Sequence, residues 1–265
     1  MADLFNVSLV FTQIPKVLQA LPVTLWLTVL SLVCGLAIGL GVAVVRIARI
    51  PVLLELSKVY VSVTRGTPVI VQLYLTYFGI PLILKYINYY NGTNFNINAV
   101  PPIVFALAAL SLNQGAYSSE TIRAAILSVD KGQIEAANSL GMTTAQRLRR
   151  IVIPQAFVIA LPSLGNALIS LLKETSLAFV CSVVEITARG KILAGNSYRF
   201  FESYCSVAII YWILTFMVEQ AVRYAEKRLR IPDTAPAVEK AAPIQAPKQS
   251  GARGIRGVRG IRGIK

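Results

Sequence analysis

The chain has 265 residues, of which 55% are hydrophobic and only 14% are charged, and its formal net charge is +14. This composition excludes an ordinary soluble domain, and basic residues gathered at the ends of apolar runs indicate a membrane protein rather than a nucleic-acid-binding protein. The sequence contains no histidine, which excludes catalysis by imidazole.

The predicted elements begin with an amphipathic helix within residues 1–22, whose apolar residues recur at helical spacing and which we expect on the outer membrane surface. Five apolar runs follow, each of about 17–25 residues and therefore able to cross a bilayer as a helix. The predicted spans are Val23–Val45, Thr67–Leu84, Val100–Ser119, Ile151–Leu172 and Tyr204–Val222. The sequence therefore predicts an all-α polytopic membrane protein with residues 23–230 as its transmembrane domain.

Basic residues near the ends of the spans predict the orientation of the chain. Arg46 and Arg49 follow the first span, Arg147–Arg150 precede the fourth, and Arg223–Arg230 follow the fifth. Because basic loops stay on the cytoplasmic side, we expect the N-terminus outside and the C-terminus in the cytoplasm.

The connections around the first two spans carry further signals. Gly35 and Gly39 form a pair of small residues that permits close helix packing, either within one subunit or between two subunits. Pro51 begins a short segment to Tyr60 that we place in the cytoplasm or at the interface. Pro68 is predicted to occupy the first turn of the second span, where no amide hydrogen is needed. The polar, tyrosine-rich run Tyr89–Ala99 is predicted to be an outer loop.

A polar stretch, Lys131–Ala156, separates the third and fourth spans. Asp130 and Gln133 predict a capping box at the start of a short helix that runs to Leu140. Gly141 predicts a left-handed turn, and Thr143 with Gln146 predicts a second capping box. Taken alone, these residues fit an unremarkable helical loop in the cytoplasm.

The spacing of this stretch resembles the loop of ABC-importer permeases that docks on the ATPase subunit. That family has Glu-Ala-Ala, three residues, Gly, nine residues and Ile-x-Leu-Pro; here the pattern begins at Glu135, and only Ile153 departs, standing in place of Leu. We call Lys131–Ala156 the coupling segment. The coupling residues that the resemblance implies are Glu135, Ala136, Ala137, Gly141, Ile151 and Pro154.

Three other runs resemble the polar amino-acid permeases within this family. They are Arg65-Gly66-Thr67-Pro68, then Ala116-Tyr117 with Glu120 and Arg123, and Lys173–Leu177. The resemblance covers roughly residues 10–230. It implies a subunit of an ATP-driven importer in the bacterial cytoplasmic membrane, with polar amino acids as its substrates. The run Ser119–Asp130 is most similar to cystine permeases, and basic amino acids or glutamine are the nearest alternatives.

The resemblance also implies partners. They are ABC ATPase subunits, an extracytoplasmic solute-binding protein, a second permease copy that is identical or related, and membrane lipid, with no nucleic acid. The chain has no phosphate-binding Gly-x-x-x-x-Gly-Lys-Ser/Thr sequence, so we expect ATP to be bound by the ATPase subunits, and we expect no cofactor or enzymatic activity in this chain. A passive channel and a membrane-embedded enzyme are the rival classes; the enzyme would need paired carboxylates, a nucleophile with its base or a metal cluster.

Polar residues in or at the ends of the spans predict a substrate path. Unpaired, such groups cost about 2–3 kcal/mol at membrane depth, so they face a cavity or a partner. The predicted path consists of Gln72, Asn113, Gln114, Glu120, Glu174, Thr175 and Ser176. Glu120 is the first choice as partner of a substrate ammonium group, and an ion pair with Arg123, one turn later, is its structural alternative.

The three cysteines and the C-terminus complete the prediction. Cys34, Cys181 and Cys205 lie in apolar segments without a close pair, so we interpret them as packing residues rather than a metal site or a disulfide. Residues 231–265 are predicted to be a disordered basic cytoplasmic tail with seven basic and two acidic residues. Its Gly-aliphatic-Arg triplets either bind anionic lipid or have no role.

Overall fold

The structure, a computed structural model, describes residues 5–94, 96 and 99–229, so the predicted tail lies outside the described residues. The described chain is helical and contains no strand. Four of its helical segments are long and apolar enough to cross a membrane: Leu21–Ala48, Val69–Asn91, Thr144–Cys181 and Phe200–Leu229. The all-α class of a polytopic membrane protein is thereby confirmed.

The predicted third span forms helix α6, Pro102–Leu127, which is the centre of the bundle. With 26 residues α6 is long enough to cross a bilayer, but Asn113 and Gln114 lower its mean hydropathy. Its neighbours include Leu21–Ala48 (α2), Pro51–Gly66 (α3), Val69–Tyr74 (α4) and Ile153–Glu174 (α9). The polar residues of α6 are therefore surrounded by other helices.

The N-terminal region forms three helices, α1 Val7–Leu18, α2 Leu21–Ala48 and α3 Pro51–Gly66. Helix α1 begins after Asn6, whose Oδ1 accepts a hydrogen bond from the Leu9 amide at 3.0 Å. It buries Val10, Gln13 and Val17. Val17 belongs to an apolar cluster with residues of the last two helices, Ile186–Ser197 (α10) and Phe200–Leu229 (α11). A helix with one buried face is thus present where it was predicted, and its place on the outer membrane surface stays a prediction.

The small residues of α2 allow it to contact α6 closely. A Cβ added to Gly35 would lie 2.7 Å from Cβ of Gln114, and one added to Gly39 would lie 2.8 Å from Cβ of Ser118. Any larger residue would force these two helices apart. Of the two alternatives left open by the sequence, the structure shows packing within one subunit.

The second predicted span is longer than expected. It comprises α4, Val69–Tyr74, a π-helical segment, Leu75–Gly79, and α5, Ile80–Asn91. The predicted loop boundary at Tyr89 is wrong, because the helix continues to Asn91 and ends where Gly92 adopts a left-handed conformation, with φ of +61°. The helix start predicted at Pro68 is confirmed: this residue is the extended cap directly before Val69, where it needs no amide hydrogen.

The segment that begins at Pro51 continues past the predicted end at Tyr60 and reaches Gly66. Its Tyr60 hydroxyl donates to the carbonyl of Leu112 at 2.6 Å. Leu112 lies in the middle of α6. The C-terminal half of α3 therefore packs beside α6, and the placement of the segment in the cytoplasm or at the interface stays a prediction.

The coupling segment contains α7, Lys131–Ser139, and α8, Thr144–Arg147. A π-helical turn, Leu148–Val152, joins α8 to α9, Ile153–Glu174, and a 3-10 segment, Thr175–Cys181, follows. The fourth predicted span, Ile151–Leu172, is thus part of one helical stretch that extends beyond it at both ends. Ala178, Cys181 and Val183 belong to the main apolar core with Leu27 and Leu110.

The last two helices are α10, Ile186–Ser197, and α11, Phe200–Leu229, which is longer than the predicted fifth span at both ends. Helix α11 contacts α1, α9 and α10. Its contact with α9 is closest where a Cβ on Gly165 would lie only 2.3 Å from Cγ1 of Val222. Helices α9 and α11 therefore touch at this level.

Candidate functional site

The coupling segment has the predicted helix–turn–helix form. Gly141 adopts φ of +70°, which favours glycine, and its amide donates to the carbonyl of Asn138 at 3.0 Å. The second capping box is confirmed: the Gln146 amide donates to Thr143 Oγ1 at 3.3 Å, and the Thr143 amide donates to Gln146 Oε1 at 2.9 Å. The sequence therefore determines this turn locally.

The first predicted capping box is wrong in one half. Asp130 caps α7 by accepting from the Gly132 amide at 2.7 Å. Gln133 does not bond back to the cap; its Oε1 accepts a hydrogen bond from Nε2 of Gln155, in α9. A side chain that finds a partner on another helix is not available for its own helix end. The result is a direct link between α7 and α9.

A second link joins α7 to α8, because Nη1 of Arg147 donates to Oδ1 of Asn138. Together with the Gln133–Gln155 bond, it holds both short helices against the start of α9. Below them, an apolar cluster contains Val129, Val152 and Ala156 and connects the end of α6 to the start of α9. A displacement of α7 would therefore be transmitted to two long helices.

The predicted coupling residues differ in exposure. Glu135 and Ala136 are exposed on α7, while Ala137 is buried. Further along, Gly141 and Pro154 are exposed and Ile151 is half-buried. Sequence reasoning missed Leu140, which is 82% exposed and lies one turn after Ala136 on the same face. The sequence feature that could have indicated Leu140 is a large apolar residue in a polar loop, directly before the turn glycine.

Two residues of the predicted substrate path bind each other in the bundle. Nδ2 of Asn113 donates to Oε1 of Gln72 at 3.1 Å, which joins α6 to α4. Gln72 also donates to the carbonyl of Thr64 at 2.7 Å and to Oγ1 of Thr67 at 2.9 Å. Gln114 is buried as well, and its Nε2 donates to Oγ of Ser118 at 3.0 Å. These amides hold the helices and the connection before α4 together.

Glu120 is held by two arginines. One carboxylate oxygen accepts from Nη1 of Arg46, on α2, and the other accepts from Nη2 of Arg123 at 3.1 Å. The Glu120 side chain is 26% exposed. The ion pair raised above as the structural alternative is thus present, with Arg46 as an additional partner that the sequence did not indicate.

The residues at the end of α9 have fewer contacts. Thr175 is fully buried and its hydroxyl donates to the Leu172 carbonyl at 2.7 Å. Glu174 and Ser176 are half-buried, and neither has a hydrogen-bond or ion-pair partner among the described residues. Glu174 is therefore a candidate for a contact with a molecule other than this chain.

The two carboxylates of the predicted path do not share one pocket. Glu120 and Ser163 line the same groove, of about 440 Å³, between α6 and α9. Glu174 lies eleven residues after Ser163, which is about 16 Å along a helix. The predicted residues are thus distributed along the bundle axis and do not share one cavity, and their role as a substrate path stays a prediction.

Glu185 is a buried carboxylate that sequence reasoning missed. It caps α10 by accepting from the amides of Thr187 at 2.7 Å and Ala188 at 2.8 Å, and it also accepts from the hydroxyl of Tyr211 at 3.1 Å. Burial raises the pKa of Glu185, and these hydrogen bonds oppose the increase. The amide of Ile186 donates to Oγ1 of Thr24 at 3.2 Å, so the group anchors α10 to α2. In the sequence, only the position of Glu185 directly before an apolar helix start indicated that it caps a helix.

Comparisons with known proteins agree with this architecture. The L-cystine transport system permease protein TcyL of Bacillus subtilis is 40% identical over 230 residues, which are 87% of this chain and 94% of that protein. The glutamine transport system permease protein GlnP of Escherichia coli is 33% identical over 227 residues, 86% of this chain and 99% of that protein. Both relatives are covered over nearly their whole length.

A solved structure and a family model extend these similarities. The crystal structure of an amino acid ABC transporter with histidines matches with a TM-score of 0.72 and 35% sequence identity, over 84% of this chain and 99% of that chain. The family model described as binding-protein-dependent transport system inner membrane component matches residues 35–231, a region that contains both the coupling segment and the predicted substrate path. The chain belongs to this family of inner membrane components of binding-protein-dependent transport systems.

Proposed function

We propose that this chain is the membrane-spanning subunit of an ATP-driven importer of polar amino acids, and that cystine is its substrate. The observation that carries the proposal is the coupling segment, which exposes Glu135 and Ala136 on a short helix that is bonded to α9. The printed names of the relatives support an amino acid as substrate, since they refer to cystine and to glutamine. Basic amino acids and glutamine are the alternatives within this class.

The proposed partners follow from the same surfaces. ATPase subunits would bind α7 on the cytoplasmic side and would bind ATP, and a solute-binding protein would deliver substrate from outside. A second permease copy would complete the pathway. The N-terminus would lie outside and the C-terminus in the cytoplasm, because the basic residues Arg147–Arg150 and Arg223 then lie on the cytoplasmic side.

The proposed mechanism is alternating access driven by α7. Closure of the ATPase pair would displace Glu135 and Leu140, and the Gln133–Gln155 hydrogen bond would carry the movement to α9. The apolar cluster around Val152 would carry it to α6. Because packed helices move as rigid bodies, the long helices would rock and open the path to the cytoplasm.

The substrate would meet the predicted polar residues one after another as it crosses the membrane. We propose that Glu174, which has no partner in the part of the chain that the structure describes, meets the substrate ammonium group at one level. Glu120 would act nearer the cytoplasmic end of α6, where Arg46 and Arg123 compete for its carboxylate. The amides of Gln72 and Asn113 and the hydroxyls of Thr175 and Ser176 would line the path between helices.

Uptake by the reconstituted complex tests this function. The full chain would be placed in proteoliposomes with its ATPase subunits and solute-binding protein, and the uptake of radiolabelled cystine would be measured with and without ATP. We expect ATP-dependent uptake that excess unlabelled cystine suppresses more strongly than glutamine or arginine does. Stronger competition by glutamine or arginine would reassign the substrate, whereas uptake without ATP would indicate a passive channel.

A further inference from the structure

We propose that a groove between α9 and α11 binds an anionic phospholipid of the cytoplasmic leaflet. The groove has a volume of about 470 Å³. One wall is apolar and contains Ile159, Leu161 and Pro162, and the other wall carries the basic residues Arg223 and Lys227. An apolar wall beside a basic wall matches the two parts of a phospholipid, its acyl chains and its phosphate.

The groove exists because α9 and α11 separate on one side of a close contact. At Gly165 the helices touch, since a Cβ there would meet Val222 at 2.3 Å. Pro162 and Arg223 lie on the side of this contact that contains the start of α9 and the end of α11. The coupling segment precedes α9 at the same end. The groove therefore ends at the contact between Gly165 and Val222. It lies at the end of the bundle that the basic residues place in the cytoplasm.

The basic residues of the groove have hydrogen-bond donors that no described residue uses. Lys227 has no hydrogen-bond or ion-pair partner among the described residues. Arg223 donates through Nη2 to Glu219, an exposed pair on the helix surface, and a guanidinium has five N–H donors in total. Glu226 lines the same groove, so two positive charges face one negative charge there. A phosphate would bind the cations, and hydroxyls of a glycerol headgroup would donate to Glu226.

The surroundings of the groove favour a lipid over other occupants. Ile159 is 46% exposed, and Phe216, which lies seven residues before Arg223 and therefore on the same face of α11, is 54% exposed, so apolar surface continues from the groove along both helices. In a membrane-spanning chain such surface contacts acyl chains. Basic pockets between transmembrane helices on the cytoplasmic side are known binding sites for anionic headgroups.

Native mass spectrometry of the full-length chain in detergent micelles tests the proposal. Phosphatidylglycerol and phosphatidylcholine with identical acyl chains are titrated separately, and we expect tighter binding of phosphatidylglycerol. Near a membrane surface each basic residue contributes about 1 kcal/mol, so Lys227→Gln should weaken phosphatidylglycerol binding about fivefold and Arg223→Gln with Lys227→Gln about 25-fold. Both changes should weaken phosphatidylcholine binding less, because the trimethylammonium group of this lipid offsets the charge of its phosphate. Lys227→Arg should keep the preference.

Arg228→Gln is the matched control, because it removes the same charge from the same helix outside the groove. Arg228 contacts the ring of Tyr224 at 5.3 Å, and its Nε donates to the Tyr224 hydroxyl at 3.0 Å. We expect wild-type lipid selectivity from this variant. The thermal unfolding midpoint of every variant is measured alongside. If the double variant unfolds, the phosphatidylglycerol binding of Lys227→Gln is compared with that of Lys227→Arg to decide between the outcomes.

Four outcomes would overturn the proposal. The first is equal binding of the two lipids by the wild-type chain, and the second is an equal loss in Arg228→Gln and Lys227→Gln, which would show a diffuse charge effect. The third is complete displacement of phosphatidylglycerol by inorganic phosphate, which would show a simple anion site. The fourth is unchanged phosphatidylglycerol binding by the double variant, which would show that Arg223 and Lys227 do not bind the lipid.

Discussion

The coupling segment and the polar residues inside the bundle use their side chains in opposite ways. In the coupling segment, Glu135 and Leu140 are exposed. Inside the bundle, Asn113 bonds to Gln72, and Glu120 is held by Arg46 and Arg123. A side chain without an internal partner is available to another subunit, whereas a side chain with satisfied hydrogen bonds holds helices together. Exposure and free bonding capacity therefore distinguish a docking surface from a structural network of similar composition.

Glu174 is the one carboxylate of the predicted path with which no described residue pairs. It lies at the end of α9, beside the fully buried Thr175. A carboxylate that is half-buried and unpaired is expensive unless a ligand or another subunit satisfies it. The interior thus contains both kinds of residue, and mutations can separate them.

The largest effect is expected from Gly141→Val, which should abolish ATP-driven uptake while the chain still inserts into the membrane. A left-handed conformation costs a non-glycine residue about 1–2 kcal/mol, and more for a β-branched one, so the turn between α7 and α8 would be displaced. Uptake and ATP hydrolysis by the reconstituted complex provide the measurement. Glu135→Lys, which leaves the turn intact and reverses an exposed charge, should have the same result.

Gly41→Val is the matched control for the turn glycine. Gly41 lies in α2 without a positive φ, and an added Cβ meets nothing within 4 Å. We expect uptake near the wild-type level from this variant. If Gly141→Val retains substrate-stimulated ATP hydrolysis and uptake, the assignment of the coupling segment as the docking surface is wrong.

An intermediate effect is expected from Glu120→Gln, which leaves Arg46 and Arg123 without their carboxylate. Because the pair is partly exposed, we expect a loss of about 1–3 kcal/mol in stability, measured as a lower thermal unfolding midpoint in detergent. Glu55→Gln is the control, since Glu55 pairs with Lys58 at the surface, where an ion pair contributes about 1 kcal/mol or less.

The same variant tests whether Glu120 also binds substrate. A substrate contact would increase the concentration needed for half-maximal uptake, with assembly and basal ATP hydrolysis near normal. An unchanged concentration dependence together with a lower unfolding midpoint would assign Glu120 to the structural network alone.

The smallest effect is expected from Glu174→Gln, which should not lower the unfolding midpoint, because no described residue bonds to this carboxylate and its burial is unfavourable. We expect the half-saturating substrate concentration to increase about tenfold, since a charge-assisted contact of about 1.4 kcal/mol would be lost. Uptake measured over a range of substrate concentrations provides the test. A clear loss of stability without a change in half-saturation would place Glu174 in the structural network and remove the distinction drawn above.

Helix ends show why local pattern has limits. Hydropathy predicted a fourth span over Ile151–Leu172, but the helical stretch begins at Thr144. The residues before Ile151 are mostly polar and basic. The capping box at Thr143 nevertheless starts a helix there, and this helix continues without a break into the apolar run. Hydropathy reports which part of a helix suits lipid, and it does not report where hydrogen bonding begins or ends.

The sequence by itself determined the helical membrane class, the positions of the long helices and the turn at Gly141. Each of these depends on residues that are close together in the chain: an apolar run of spanning length, the basic residues at its ends, and a glycine where a positive φ is needed. Tertiary structure alone decided the partners of polar side chains: Gln133 bonds to Gln155 rather than to its own helix end, and Arg46 reaches Glu120 from 74 positions away in the chain. Such contacts depend on how helices are oriented around α6, where glycines such as Gly35 permit close approach, and that orientation is set by packing across the whole bundle.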